Sequence, residues 1–197
     1  MFLSLPAAFA LLVAPEQITS SLFGYGSFDI LSVKNSALAL FYFALGLPAF
    51  SLIKIFSIFL FARHNTKEPF YFSLFSVFLN IFISIYYFKN VGFIIIPIAT
   101  TIASWFNALL LLIYLSYKKY FLLSSKIFIP FLKIFLSSII TSFIFYVLIN
   151  YFEKYLNYDS EFKLFTMILL VLITFIIYII ISLFTKAFKI SDINLKY

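Results

Sequence analysis

A lysine stands inside an apolar run. In "GLPAFSLIKIFSIFLFARHNTKEP", residues 46–69, Lys54 is surrounded by Ile, Leu and Phe, and the run closes in Arg63, His64, Lys67 and Glu68. A cation so placed has two physical readings. Its stem can snorkel towards the aqueous boundary, which Arg63 marks after a helical rise of roughly 13 Å. Alternatively it faces a polar cavity between helices, where ionisable side chains within membranes usually sit. There a cation suits an anionic group such as a phosphate. Ser51 and Ser57 share the stretch and give it a modest polar stripe.

Other polar residues are spread thinly. Asn80 and Asn107 interrupt two further apolar runs, and Thr100, Thr101 and Ser104 precede Asn107 by one to two turns. Such residues join helices by hydrogen bonds worth about 1 kcal/mol or less each. Asn107 is also a candidate, with Ser51 and Lys54, for contacting a polar ligand. Glu16 follows Pro15 and reads as an interfacial cap on a broken helix. His64 reads as solvated. No nucleophile sits beside a base, no carboxylates pair within a run and no glycine loop would cradle phosphate. Catalysis is therefore not expected, and neither is a cofactor. With a single His and no Cys, a His-based metal cluster, thiolate chemistry and disulfides are excluded.

The elements carrying these residues follow from composition. The 197 residues are 64% hydrophobic and 11% charged, with 30 Phe; a soluble domain is about a quarter charged. Too few polar side chains remain to cover a soluble surface, so the sequence predicts an integral membrane protein. The net charge of +7 is assigned to loops at span ends, not to nucleic-acid binding, because no aromatic-basic platform occurs in a soluble region.

A span needs about 20 apolar residues. Six segments meet or approach this: 2–23 (broken at Pro15 and Glu16), 36–62, 70–88, 93–117, 128–151 and 164–185. They are continuous, not alternating, which predicts helices and excludes a barrel. Pro48, just after Gly46, is expected to kink the second helix and Pro97 the fourth. Gly24 and Gly26 are expected at positive φ, "KNVG" at 89–92 forms a tight turn, and Asn65 or Thr66 caps the helix that Pro69 opens.

Loop charge gives orientation. Arg63, Lys67, Lys118, Lys119, Lys126, Lys133, Lys186, Lys189 and Lys196 fall on one side; Lys34, Lys89, Lys154 and Lys163 fall on the other, with Asp29, Glu153, Asp159 and Glu161. The positive-inside rule makes the first side cytoplasmic, with both termini there.

Three stretches carry a family resemblance: "LPAAFALLVAPEQITSSLFGYGSFD", then "ALGLPAFSLIKIFSIFLFARHNTKEP", then "ASWFNALLLLIYL". In order and spacing, over residues 3 to about 120, they resemble the MurJ/MviN lipid II flippases. The last two spans match that family in position and hydrophobicity only. His64 and Asn65 depart from it, standing where Gln-Asp commonly follows the arginine matched by Arg63.

The resemblance implies an all-α membrane protein like the C-terminal part of a multidrug/oligosaccharidyl-lipid/polysaccharide exporter, about the last six spans. Residues 1–120 would be a four-helix part of the transporter lobe, and 121–197 the final helix pair with a cytoplasmic tail. It implies export of lipid II across the bacterial inner membrane by alternating access, with the N-terminal half of the transporter and membrane lipid as partners. Lys54 matches the family's lysine, Gly46 and Pro48 would supply a hinge, and Arg63 and Lys67 the cytoplasmic loop. The last two spans would line a groove for the lipid tail. The rival readings are a related polysaccharide-lipid or multidrug exporter and a non-transporting structural subunit or inactive fragment.

Overall fold

A computed structural model describes the backbone of residues 1–121 and 125–187, and the side chains of 1–121 and 128–187. The side chain of Lys126, together with Lys189 and Lys196, lies outside the described residues. Among the described residues eight α-helices follow in order: α1 (Ser4–Val13), α2 (Pro15–Phe23), α3 (Ile30–Phe61), α4 (Lys67–Val91), α5 (Ile95–Tyr117), α6 (Ser125–Tyr151), α7 (Glu153–Leu156) and α8 (Lys163–Phe184). A 3-10 turn, Gly92–Ile94, links α4 to α5.

Among the described residues four apolar stretches are long enough to cross a membrane: Ile30–Phe61, Lys67–Tyr117, Phe128–Tyr151 and Lys163–Phe184. The second contains both α4 and α5, so five of the six expected segments are long helices. The remaining one, 2–23, is the pair α1 and α2. It breaks at Ala14 (φ −138°, ψ 48°), with Pro15 as the first residue of α2; the residue before a proline is driven out of the helical region. Large apolar side chains point outward along these helices, among them Phe82, Ile85 and Phe165, each about two-thirds exposed or more. Water would not tolerate so much outward apolar surface in a monomer; lipid does.

The chain forms two compact units, Met1–Leu38 with Leu123–Tyr197, and Ala39–Leu122. One boundary falls inside α3, between Leu38 and Ala39. In the first unit Ala14, Phe145, Ile149, Leu156, Met167 and Leu170 form a core. Around it α6 and α8 pack through small hydroxyl residues: Ser137, Ser138 and Ser182 have no exposed surface. Small side chains let membrane helices approach closely. Ser138 bonds its own helix at the Ile134 carbonyl (2.8 Å), as Thr174 does at that of Leu170 (2.8 Å), while Ser137 Oγ meets Thr185 Oγ1 at 3.4 Å. The Tyr178 hydroxyl crosses to the Phe2 carbonyl at 2.6 Å.

In the second unit Phe56, Leu60, Leu111 and Leu115 form the core. Here α4 and α5 make an antiparallel hairpin. Gly92 turns it at φ +73°, ψ −152°, a conformation only glycine adopts readily.

Several local expectations are corrected. Gly26 has positive φ (59°), but Gly24 does not (φ −71°). Pro97 is the third residue of α5, within the first turn, where its missing N–H would have had no helical partner. It therefore has no ladder bond to break. Thr66 precedes α4 without a side-chain cap, and the Asn65 amide is engaged elsewhere.

Three helices end alike. His64 (φ 58°), Lys119 (57°) and Lys186 (53°) adopt the left-handed conformation just beyond α3, α5 and α8. The next N–H then reaches back to a carbonyl in the last turn: Asn65 to Leu60 (3.0 Å), Tyr120 to Leu115 (2.9 Å) and Ala187 to Ser182 (3.0 Å). This is the Schellman arrangement, normally made with glycine. Here it is made with His or Lys.

Candidate functional site

The α4–α5 hairpin is tied by polar rungs. Asn80 Nδ2 donates to Thr100 Oγ1 at 3.0 Å, and Asn107 Nδ2 to Ser73 Oγ at 3.3 Å. Near the open end the Asn65 amide donates to the Tyr114 hydroxyl (3.0 Å), which donates to Glu68 (3.1 Å). Each rung straddles the Gly92 turn symmetrically, as antiparallel neighbours must.

The central rungs face a crevice of about 330 Å³, lined by Ser73, Ser76, Asn80, Thr100, Ser104 and Asn107 on the hairpin, with Phe50 and Ile53 from α3. Asn107 is 7% exposed and its Oδ1 has no hydrogen-bond partner. The crevice thus offers hydroxyls and amides without an ionisable group among its lining side chains. It can hold water or a neutral polar group, and it has nothing with which to move a proton at neutral pH.

The helix α3 is fastened to α5 around Pro48. Thr101 Oγ1 donates to the Tyr42 carbonyl at 2.7 Å, and Trp105 Nε1 to that of Leu45 at 3.0 Å. A proline leaves the carbonyl four residues earlier without its donor; Trp105 bonds the carbonyl next to it. Gly46 permits the close approach: a Cβ there would lie 3.1 Å from Thr101 Oγ1 and 3.2 Å from the Phe50 ring. Pro48 lies inside an otherwise continuous α3.

Of the expected ligand-contacting residues, the structure places Asn107 in the crevice. Lys54 is exposed and Ser51 half-buried, and neither lines it, although Ile53 and Phe50 do. Arg63 lies over the rings of Tyr120 (4.1 Å) and Phe59 (4.8 Å), and Lys67 is exposed.

One cation escaped the sequence reading. Lys163, counted there among loop charges, is 2% exposed. Its ammonium donates to the carbonyls of Gly24 (2.5 Å) and Tyr158 (2.6 Å). It also lies 4.3 Å and 4.5 Å from the ring centroids of Tyr25 and Tyr158. Two carbonyls and two aromatic faces replace its hydration. The available signal was the pairing of tyrosine-bearing loops, "FGYG" and "NYDSEFK", at one membrane level.

A sequence profile described as "Lipid II flippase MurJ" matches residues 1–170. Among curated proteins, the chain is 33% identical over 164 residues to a probable lipid II flippase MurJ of Rickettsia prowazekii (strain Madrid E), covering 83% of this chain and 32% of that protein. It is 42% identical over 111 residues to one of Rhizobium meliloti (strain 1021), covering 56% and 21% respectively. A solved structure, "Lipid II flippase MurJ, inward closed conformation", superposes with a TM-score of 0.76 at 26% identity. That match covers 94% of this chain and 36% of the other. The chain thus spans about a third, or less, of the length of the proteins it matches. The profile covers most of the sequence, including all three motif stretches, and the chain belongs to the lipid II flippase MurJ family.

Proposed function

We propose that this chain is the C-terminal portion of a flippase that carries lipid II from the inner to the outer leaflet of the bacterial inner membrane by alternating access. The observation that carries this reading is the family match over residues 1–170. The physics is compatible with it. A polyprenyl pyrophosphate has an anionic head too polar for hydrocarbon and a long apolar tail, so it needs cations for the first and an apolar surface for the second. Residues 1–120 contribute to a transporter lobe, and the final helices in 121–197 to a groove for the tail. Both termini face the cytoplasm. Substrate handling requires the remaining spans of the transporter, and its chemistry is transport rather than bond making.

Within this reading Lys54 greets the pyrophosphate from a face that the rest of the transporter completes. Gly46 and Pro48 supply the hinge, Ser51 and Asn107 add polar contacts, and Arg63 and Lys67 hold the cytoplasmic loop. The test is Lys54→Ala in the complete transporter, expressed in cells depleted of their own flippase. Export of lipid II, read by its accessibility at the outer leaflet, should fall at least tenfold while membrane abundance stays constant. Undiminished export would remove Lys54 from the mechanism.

A further inference from the structure

Away from the hairpin, Lys163 departs from the lysines it resembles in sequence. Four lysines read as loop charges on one side of the membrane. Lys34, Lys89 and Lys154 are exposed, whereas Lys163 is 2% exposed. A charge that only fixes topology needs no such enclosure. Its place is also electrostatically adverse, because it is the first residue of α8, at the positive end of that helix dipole. The position makes sense from where the ammonium goes. It reaches the carbonyl of Gly24, which is the C-cap of α2. There a helix has carbonyls without helical partners and favours a cation. One side chain thus joins the finish of α2 to the start of α8, across 139 positions of sequence.

The rings beside it are anchored in turn. The Tyr158 hydroxyl donates to the Phe28 carbonyl at 2.8 Å, and the Tyr25 hydroxyl to that of Ser21 at 3.0 Å. The Tyr158 ring also lies against Gly24, where a Cβ would come within 3.1 Å of it. Both tyrosines therefore present their faces to the ammonium from fixed positions. Segment 24–28 meets segment 158–163 through backbone, ring and cation together. We infer that Lys163 is a positioning residue, the pin of a clasp that holds the α2–α3 loop against the α7–α8 loop throughout the transport cycle. The need for a pin lies in α2, which is separated from α1 at Ala14, so its far end is held by what the following loop meets. The inference rests on the proposed transport for its consequence; the clasp itself is a property of the first unit.

The test has two arms. In the first, the whole chain in detergent is treated with a water-soluble amine-acylating reagent, and the modified lysines are identified by mass spectrometry. Lys163 should react at least tenfold more slowly than Lys154. Tyr25→Leu should raise the Lys163 rate at least fivefold, while circular dichroism reports the same helix content. Equal rates for Lys163 and Lys154 in the parent, or a Lys163 rate unmoved by Tyr25→Leu, would overturn the clasp. In the second arm, Tyr25→Cys/Tyr158→Cys removes both rings in the complete transporter, with any other cysteines replaced. Export of lipid II should fall at least fivefold at unchanged membrane abundance. It should recover to within twofold of the parent when a short bis-maleimide joins the two cysteines, since a tether restores the link between loops and not the lost packing. Export undiminished by the double substitution, or left low by the tether, overturns the clasp's part in transport. A parent transporter that exports no lipid II would instead refute the transport reading, and the clasp then stands or falls by the first arm.

Discussion

Lys163 and Lys54 show how differently two membrane lysines are accommodated. Lys163 is enclosed by two carbonyls and two tyrosine rings; Lys54 is exposed on its helix. Replacing Lys163 with Met keeps a stem of similar length but leaves the Gly24 and Tyr158 carbonyls unpaired. We expect Lys163→Met to destabilise the first unit by about 2–3 kcal/mol, measured as a lower thermal midpoint by circular dichroism in detergent. An unchanged midpoint would show the cage to be energetically idle. The sequence made Lys54 conspicuous because its neighbours in the chain are apolar. It hid Lys163, whose surroundings are assembled from residues up to 139 positions away in the chain. Local context reveals an odd residue, whereas burial is decided by which loops meet.

At the scale of elements, hydrophobic runs located every long helix, and Pro15 marked the break between α1 and α2. The misjudged details were those set by competition between partners. Asn65 has the side chain of a helix cap, but its amide is taken by Tyr114, a residue 49 positions distant. The sequence predicts a kink at Pro97, but α5 begins only at Ile95 after the 3-10 turn, which puts the proline in the first turn. By contrast, α3 is capped conventionally: Asp29 Oδ1 accepts the Ser32 N–H at 2.8 Å. Hydrogen bonding from Ser32, through its hydroxyl and then its backbone N–H, holds the Asp29 carboxyl below its usual range. Because the folded value is depressed, the cap's contribution is present above the unfolded carboxylate pKa of about 3.9 and is lost as pH falls through the lower folded value. The protection of the Ser32 amide, its exchange rate referred to that of an unstructured peptide at the same pH, should therefore fall below about pH 4. In Asp29→Ala that protection should already be low at neutral pH and show no further acid-dependent loss.

For the molecule as a whole, the α4–α5 rungs predict where motion does not occur. Sliding one helix past the other by a turn would break the Asn80–Thr100, Asn107–Ser73 and Tyr114–Glu68 bonds together. The hairpin should move as one body. This chain has no cysteine, so an Asn80→Cys/Thr100→Cys disulfide can be introduced in it, with any cysteines of the remaining spans replaced. In the complete transporter, that cross-link should leave lipid II export within about twofold of its reduced form; a loss reversed by reductant would show that the hairpin opens during transport. This partitioning was not legible beforehand. Hydropathy reports which segments enter lipid, but polar rungs depend on register, and register is settled only when two helices dock.

The left-handed stops at His64, Lys119 and Lys186 have a consequence for any attempt to engineer this protein. Glycine at each would relieve backbone strain of about 1–2 kcal/mol, so a stability screen would favour the substitution. Yet two of these residues are lysines in the cation-rich loops, the charges a nascent chain presents to fix its topology. The positions where a folded bundle gains most from glycine are those where an inserting chain gives up part of its address, and optimising the first without watching the second would yield a tougher protein with a weaker instruction about which way to face.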